Sequence, residues 1–192
     1  MKKILIGTHN KGKFKEISYL LSKKIVKISP NKLNIASPKE TGKTFTANSK
    51  LKAMYFSKFS KLPVISDDSG LCIKALGGKP GIHSARWAKK CGSFSKAMKL
   101  ILKKLKNKKN RTAVFVCSLS FKYPDGKMTT VKGEVNGKIS HKILGSKGFG
   151  YDPIFIPYQK SITFGQMSHL KKILLDHRYK AFIKLKKRIK IL

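Results

Sequence analysis

The strongest constraint on the fold is an unbroken alternation in the second half of the chain. From Thr112 to Phe121, Ala113, Phe115, Cys117, Leu119 and Phe121 interleave with Val114, Val116, Ser118 and Ser120. A period of two places the first set on one face of a strand and the second set on the other. Pro124-Asp125-Gly126 follows with turn chemistry. A returning strand is predicted from Met128 to Val135, so the chain must accommodate one long hairpin.

The remaining segments read as a mixture of helices and strands. Residues 3–7 form a short buried-type strand, and a polar loop runs from Thr8 to Gly12. Phe14, Ile17, Leu20 and Leu21 then recur at helical spacing. A second helix is expected from about Phe45 to Phe59. Leu62 to Ser66 reads as a strand that ends at Asp67-Asp68, with a turn after it. Ser95 to Lys106 is amphipathic, with Ala97, Leu100, Ile101 and Leu105 on one face. The last helix carries Tyr179, Phe182, Leu185 and Ile189. The class is α/β, and the length of 192 residues fits one domain spanning 1–192.

Composition narrows the function classes. Hydrophobic residues make up 41% of the chain, which argues for a packed core rather than a disordered tail. Lys and Arg total 44 against 8 Asp and Glu, a net charge of +36. That balance points to polyanions or phosphorylated molecules as partners, and to nonspecific nucleic-acid binding at low salt. The excess is almost all Lys, spread along the chain, so a solvated cationic surface explains most of it. Cys72, Cys91 and Cys117 fit neither a CxxC pair nor a zinc set, which suggests a reduced, cytoplasmic protein. Only Ile4-Leu5-Ile6 is apolar near the N-terminus, too short for a signal peptide. No stretch approaches the length needed to span a bilayer, so no membrane partner is expected.

Four segments carry candidate chemistry. Thr8-His9-Asn10-Lys11-Gly12-Lys13 lies between a strand and a helix N-terminus, where backbone N–H groups favour phosphate. Gly7 to Lys13 also spells GxxxxGK, but Phe14 stands where a P-loop needs Ser or Thr. A P-loop-like phosphotransferase or NTPase is therefore one alternative, and a charge-driven nucleic-acid-binding protein is another. Asp67 and Asp68, in Ser66-Asp67-Asp68-Ser69-Gly70-Leu71, suit a magnesium site. Gly148-Phe149-Gly150-Tyr151-Asp152-Pro153 offers two aromatic rings to stack on a base and a carboxylate to accept from its edge. In Asp176-His177-Arg178, Asp176 suits an N-cap, which sets His177 and Arg178 at a helix end where an anion is favoured. The chain holds no GxSxG and no matched Cys–His pair.

Taken in order, these segments resemble the inosine triphosphate pyrophosphatase family of nucleotide-pool-cleaning enzymes. The matching pieces are Thr8 to Lys13 with Glu16, Glu40-Thr41-Gly42 with Thr44-Phe45 and Asn48, and Ser66 to Leu71. Leu76-Gly77-Gly78-Lys79-Pro80-Gly81 with Ser84-Ala85-Arg86, Gly148 to Pro153, and His177-Arg178 with Lys172 complete the set. The resemblance implies an elongated mixed β-sheet flanked by helices, two lobes around a central cleft, and a homodimer. It implies hydrolysis of ITP, dITP and XTP to nucleoside monophosphate and pyrophosphate, with Mg2+. By position, Asp68 matches the family's catalytic acid, as general base or metal ligand. Thr8, His9, Asn10, Lys11, Gly12, Lys13, Ser69, Lys172, His177 and Arg178 match its substrate-binding residues. Phe149, Gly150, Tyr151 and Asp152 match its base-recognition loop.

Three positions depart from the family pattern. Lys39 stands where a metal-binding Glu is usual, with Glu40 beside it. Either Glu40 joins Asp68 at the metal, or Asp68, water and substrate phosphates hold it, or activity is reduced. Ala47 replaces a common Glu before Asn48, and Asp176 replaces the usual Ser before His177.

Overall fold

A computed structural model describes residues 2–189 of the chain. Its strands are β1 (Lys3–Ile6), β2 (Val26–Ile28), β3 (Val64–Ile73), β4 (Thr112–Lys122), β5 (Met128–Ile139) and β6 (Phe155–Pro157). Its α-helices are α1 (Lys11–Leu20), α2 (Phe45–Ser60), α3 (Ser84–Lys90), α4 (Phe94–Lys104), α5 (His169–Ile173) and α6 (His177–Lys186). The strands form a six-stranded mixed sheet in the order β2-β1-β3-β4-β5-β6. β1 runs parallel to β2 and β3, and β5 runs antiparallel to β6. β4 and β5 are the expected hairpin, closed by a bond from the Tyr123 N–H to the Lys127 carbonyl (2.8 Å). No helix of the described residues is long and apolar enough to cross a membrane.

The chain divides into two compact units. The first takes the residues up to Asp68, Cys117–Gly133 and the chain from Arg178 onward. Its core joins Ile4, Ile6 and Ile65 of the parallel strands to Ile17, Cys117, Leu119, Phe121, Phe182 and Leu185. The second takes Ser69–Val116 and Glu134–His177. Its core joins Leu71, Ile73, Ala97, Ile101, Leu105 and Phe115 to Phe155 and Phe164.

Three predicted boundaries shift. β3 does not stop at Asp67-Asp68 but continues to Ile73. The Leu71 N–H donates to Ser84 Oγ (3.0 Å) and the Ile73 N–H to the Lys79 carbonyl (3.3 Å), so partners beyond the acidic pair keep the backbone extended. β5 likewise runs past Val135 to Ile139, where β6 pairs with it. The loop after β1 is shorter than expected: Asn10 caps α1, so Lys11, Gly12 and Lys13 form its first turn. Leu100, expected on the apolar face of α4, lies at its exposed margin, while Ala97, Ile101 and Leu105 are buried.

One polar cluster docks α2 on the sheet. Ser49 Oγ lies 3.0 Å from Ser118 Oγ and 2.9 Å from Ser120 Oγ, and it donates to the Thr46 carbonyl (3.1 Å). Ser120 Oγ continues to Thr130 Oγ1 at 2.9 Å. The serines that alternate with the apolar residues of β4 therefore face a helix, not solvent. Buried hydroxyls are tolerated only when paired, so the cluster fixes the register of α2. Replacing Ser49 with Ala should lower the unfolding free energy by about 1–2 kcal/mol, read from urea denaturation.

Candidate active site

The first group of functional side chains is built on β3. Asp67 is fully buried, and its Oδ2 is 3.1 Å from Lys13 Nζ and 3.0 Å from Arg178 Nη2. Arg178 is itself 1% exposed, and its Nη1 meets Glu16 Oε2. Burial pushes the Asp67 carboxyl up, but the charges of Lys13, Arg178 and Lys52 outweigh it and hold the group well below the usual carboxylate range. This answers why a strand can carry adjacent acids at its middle: cations from α1 and α6 neutralise one of them.

Asp68 occupies a different environment. Its Oδ2 accepts from Asn48 Nδ2 (3.0 Å), and Asn48 Oδ1 in turn accepts from the Gly42 N–H (2.8 Å). Its Oδ1 lies 3.7 Å from Lys52 Nζ, and that ammonium donates to Glu40 Oε1 (2.7 Å). Burial raises the Asp68 pKa; Lys52 and Lys13 offset this in part, and the Glu40 charge adds to it. Burial alone would lower the Lys52 pKa, but Asp67, Asp68 and Glu40 raise it, so Lys52 stays charged. One strand thus holds two neighbouring carboxylates with opposite proton affinities, the pattern expected of an anchor beside a base.

The same residues bear on a metal. Glu40 and Asp68 both face one cationic position, now taken by the Lys52 ammonium, and hard carboxylate oxygens suit Mg2+. Among the described residues no group of three or more His, Cys, Asp or Glu could hold a metal. Two carboxylates completed by water and substrate phosphates are a donor set that fits Mg2+. Lys39 is exposed.

The loop after β1 does several jobs. Asn10 Oδ1 accepts from the Lys13 N–H (3.0 Å), and Thr8 Oγ1 accepts from the Asn10 N–H (3.2 Å). His9 Nε2 donates to the Ile35 carbonyl (3.1 Å), so its Nδ1 accepts from Ser37 Oγ (2.6 Å). The His9 ring therefore pins the segment that leads to Glu40. Lys11 is exposed and Gly12 half-buried in the first helical turn. Phe14 packs on the apolar core and Lys13 turns to Asp67, which removes the basis for a P-loop.

The second group belongs to the other unit. Asp152 Oδ2 accepts from the Phe149 N–H (2.8 Å) and from Lys172 Nζ (2.7 Å). Lys172 Nζ sits 4.6 Å from the centre of the Phe149 ring and 5.8 Å from that of Phe164. Gly148 has φ of 75°, and any side chain there would strike the Asp152 carboxylate. Gly150 also has positive φ, and Ser69 is half-buried at the start of this unit's share of β3. His177 is buried and stacks on Phe115, with ring centres 4.8 Å apart and planes 9° apart.

Three expectations change. Tyr151 offers no ring to a base: it is 2% exposed, its ring edge meets Phe94 (5.2 Å), and its hydroxyl donates to the Ser84 carbonyl (2.9 Å). Phe149 is left as the half-exposed ring of the loop. Asp152 has one oxygen committed to Lys172 and the Phe149 N–H, so it shapes the loop. Arg178 is not an open anion site; the anions it holds are Glu16 and Asp67. Sequence reasoning also missed Lys52. Its signal was present, because Asn48, Lys52 and Phe56 repeat every four residues and place an ammonium on the inward stripe of α2.

Replacing Asp67 with Asn should cost about 3–5 kcal/mol, because it leaves Lys13 and Arg178 without their shared partner. Asp67 binds its proton less tightly when folded, so its stabilisation is complete above the unfolded carboxylate pKa of about 4. It is lost as pH falls through the lower folded value. Stability measured against pH should therefore show an acid limb in the parent protein that is shallower in Asp67→Asn.

Residues 4–188 match the Ham1 family. A dITP/XTP pyrophosphatase of Caulobacter vibrioides is 41% identical over 186 residues, which cover 96% of this chain and 96% of that protein. The Ham1 protein of Staphylococcus aureus superposes with a TM-score of 0.88 at 36% identity, over 98% of each chain. A HAM1 protein from Coxiella burnetii gives a TM-score of 0.89 at 29% identity over the whole of both chains. With its sheet order, its acidic pair on β3 and its glycine–aromatic loop all in place along this match, the chain belongs to the Ham1 family.

Proposed function

We propose that this chain hydrolyses non-standard purine nucleoside triphosphates, of the dITP, XTP and ITP type, to monophosphate and pyrophosphate. The observation that carries the reading is the pair on β3: Asp67 fixed as an anion by Lys13 and Arg178, and Asp68 left with a raised pKa beside Lys52. Relatives that match nearly the whole chain bear the name dITP/XTP pyrophosphatase.

In this mechanism water attacks the α-phosphorus, Asp68 takes its proton, and the bond to the β-phosphate oxygen breaks to release pyrophosphate. A buried carboxylate with raised pKa is a stronger proton acceptor than a free one, which suits Asp68 to take the proton from water. Asp68 and Glu40 would hold Mg2+, which neutralises phosphate charge when bound. Lys52 adds positive charge on the same side of Asp68. Thr8 to Lys13 supply the N-terminal turn of α1 to the phosphates. Ser69, Lys172, His177 and Arg178 complete the substrate set; Lys172 and Arg178 act there through Asp152 and Asp67. The purine stacks on Phe149, in a loop whose shape Gly150, Tyr151 and Asp152 set.

The whole chain works as one pyrophosphatase domain and as a homodimer, as the family resemblance implies. The free thiols of Cys72 and Cys91 support a reducing, cytoplasmic setting. Nonspecific nucleic-acid binding at low salt follows from the surface, where Asp125 and Glu134 are the exposed carboxylates of the described residues.

The test is pyrophosphate release from dITP and XTP, with dATP beside them, with and without Mg2+. Mg2+-dependent pyrophosphate from the first two, and little from dATP, is the expected result. Release of inorganic phosphate with a diphosphate product, or no turnover by folded protein, would overturn the reading.

A further inference from the structure

Ser84 is the first residue of α3, is 6% exposed and is given no part in the reaction above. It is nevertheless the meeting point of three backbone segments. Its Oγ accepts from the Leu71 N–H of β3 (3.0 Å) and donates to the Gly81 carbonyl (2.7 Å). Its own carbonyl accepts the Tyr151 hydroxyl (2.9 Å). Gly70 completes the junction. A Cβ on Gly70 would collide with the Gly81 carbonyl and with Ser84 Oγ, so the strand and the turn that leads into α3 touch backbone to backbone.

The two segments tied through Ser84 both carry residues of the proposed site. On β3, Ser69 is two residues before Leu71. In the glycine–aromatic loop, Tyr151 stands between Gly150, which has positive φ, and Asp152, which holds the Phe149 N–H and Lys172. Loops tolerate movement unless their buried polar groups are satisfied. The Tyr151 hydroxyl is the anchor that reaches from this loop to α3, and Ser84 Oγ reaches on to the strand.

We propose that Ser84, with the Tyr151 hydroxyl, is a positioning device that sets the Phe149 loop against the Ser69 stretch of β3 and thereby tunes purine selectivity. This rests on the pyrophosphatase reading. The device acts on where the base is held, so it should govern KM and the preference for dITP over dATP rather than the chemical step. Cutting either bond leaves a buried group unpaired, which corresponds to about a fivefold to tenfold effect on kcat/KM.

The experiment compares Tyr151→Phe, Ser84→Ala and the double variant with Ile101→Val, a fully buried change in α4 in the same apolar core, whose side chain can make none of these hydrogen bonds. Amide hydrogen exchange on the apo protein reads the strap, and steady-state kinetics on dITP and dATP read its consequence. Tyr151→Phe, which keeps the ring, should speed exchange at Leu71 although it touches neither that amide nor its acceptor. Both single variants should raise KM for dITP about fivefold to tenfold and lower the dITP-to-dATP preference, with kcat within about twofold. The double variant should fall short of the product of the singles, because both cut one connection. Ile101→Val should lose stability with KM and preference unchanged. Unchanged Leu71 exchange in Tyr151→Phe, or KM and preference matching those of Ile101→Val, would overturn the proposal. An inactive parent protein would overturn the pyrophosphatase reading and this role with it, while the exchange data would still report whether the strap exists.

Discussion

The buried ion cluster of Asp67, Arg178, Glu16 and Lys13 is the constraint on which the first unit depends. It joins α1, β3 and α6, elements separated by up to 162 residues in the chain. Burying charged groups is costly unless each finds its partners, and here two buried carboxylates, the buried Arg178 and the half-buried Lys13 share three contacts. Because Asp67 absorbs the charge of Lys13 and Arg178, the strand can carry a second carboxylate next to it. That second group, Asp68, faces Asn48 and Lys52 instead, and its proton affinity moves the other way. The asymmetry between neighbours is what makes the pair chemically useful.

The placement of acids across the molecule follows the same logic. Of the eight, Glu16, Asp67, Asp68, Asp152 and Asp176 are buried and Glu40 is half-buried, which leaves Asp125 and Glu134 at the surface. Five of those six inner acids hold a named cation or sit where α6 begins, and Asp68 lies beside one. A chain of net charge +36 has therefore kept carboxylates where the fold or the site uses them. The surplus of Lys is a property of the solvated surface. It raises the local concentration of any polyanion, including nucleoside triphosphates, without specifying one.

Much of this was legible in the sequence, and the misreadings share a cause. The β4–β5 hairpin was plain because a period of two with a Pro-Asp-Gly turn needs no distant partner to be recognised. Helices α2 and α4 were legible for the same reason. β3 was cut short at Asp67-Asp68 because adjacent acids look like turn chemistry until the cations that neutralise them are known. Arg178 read as an open anion site because helix N-termini favour anions. Glu16, which fills that role, lies 162 residues away. Tyr151 read as a stacking ring for a similar reason, since its partner Ser84 lies 67 residues away and donor–acceptor pairing at that distance leaves no local trace. Lys52 was the exception, for its helical spacing to Asn48 and Phe56 was in plain view.

The central claim is that Asp67 anchors and Asp68 reacts, and Asp68→Asn tests it most directly when turnover and stability are measured on the same preparation. Asn keeps an oxygen to accept from Asn48 and removes a carboxylate whose ionised form the fold disfavours. Pyrophosphate release from dITP should fall about a hundredfold to ten-thousandfold, while the unfolding midpoint at neutral pH stays level or rises. A variant that hydrolyses dITP at nearly the parent rate would contradict the account, as would one that fails to fold.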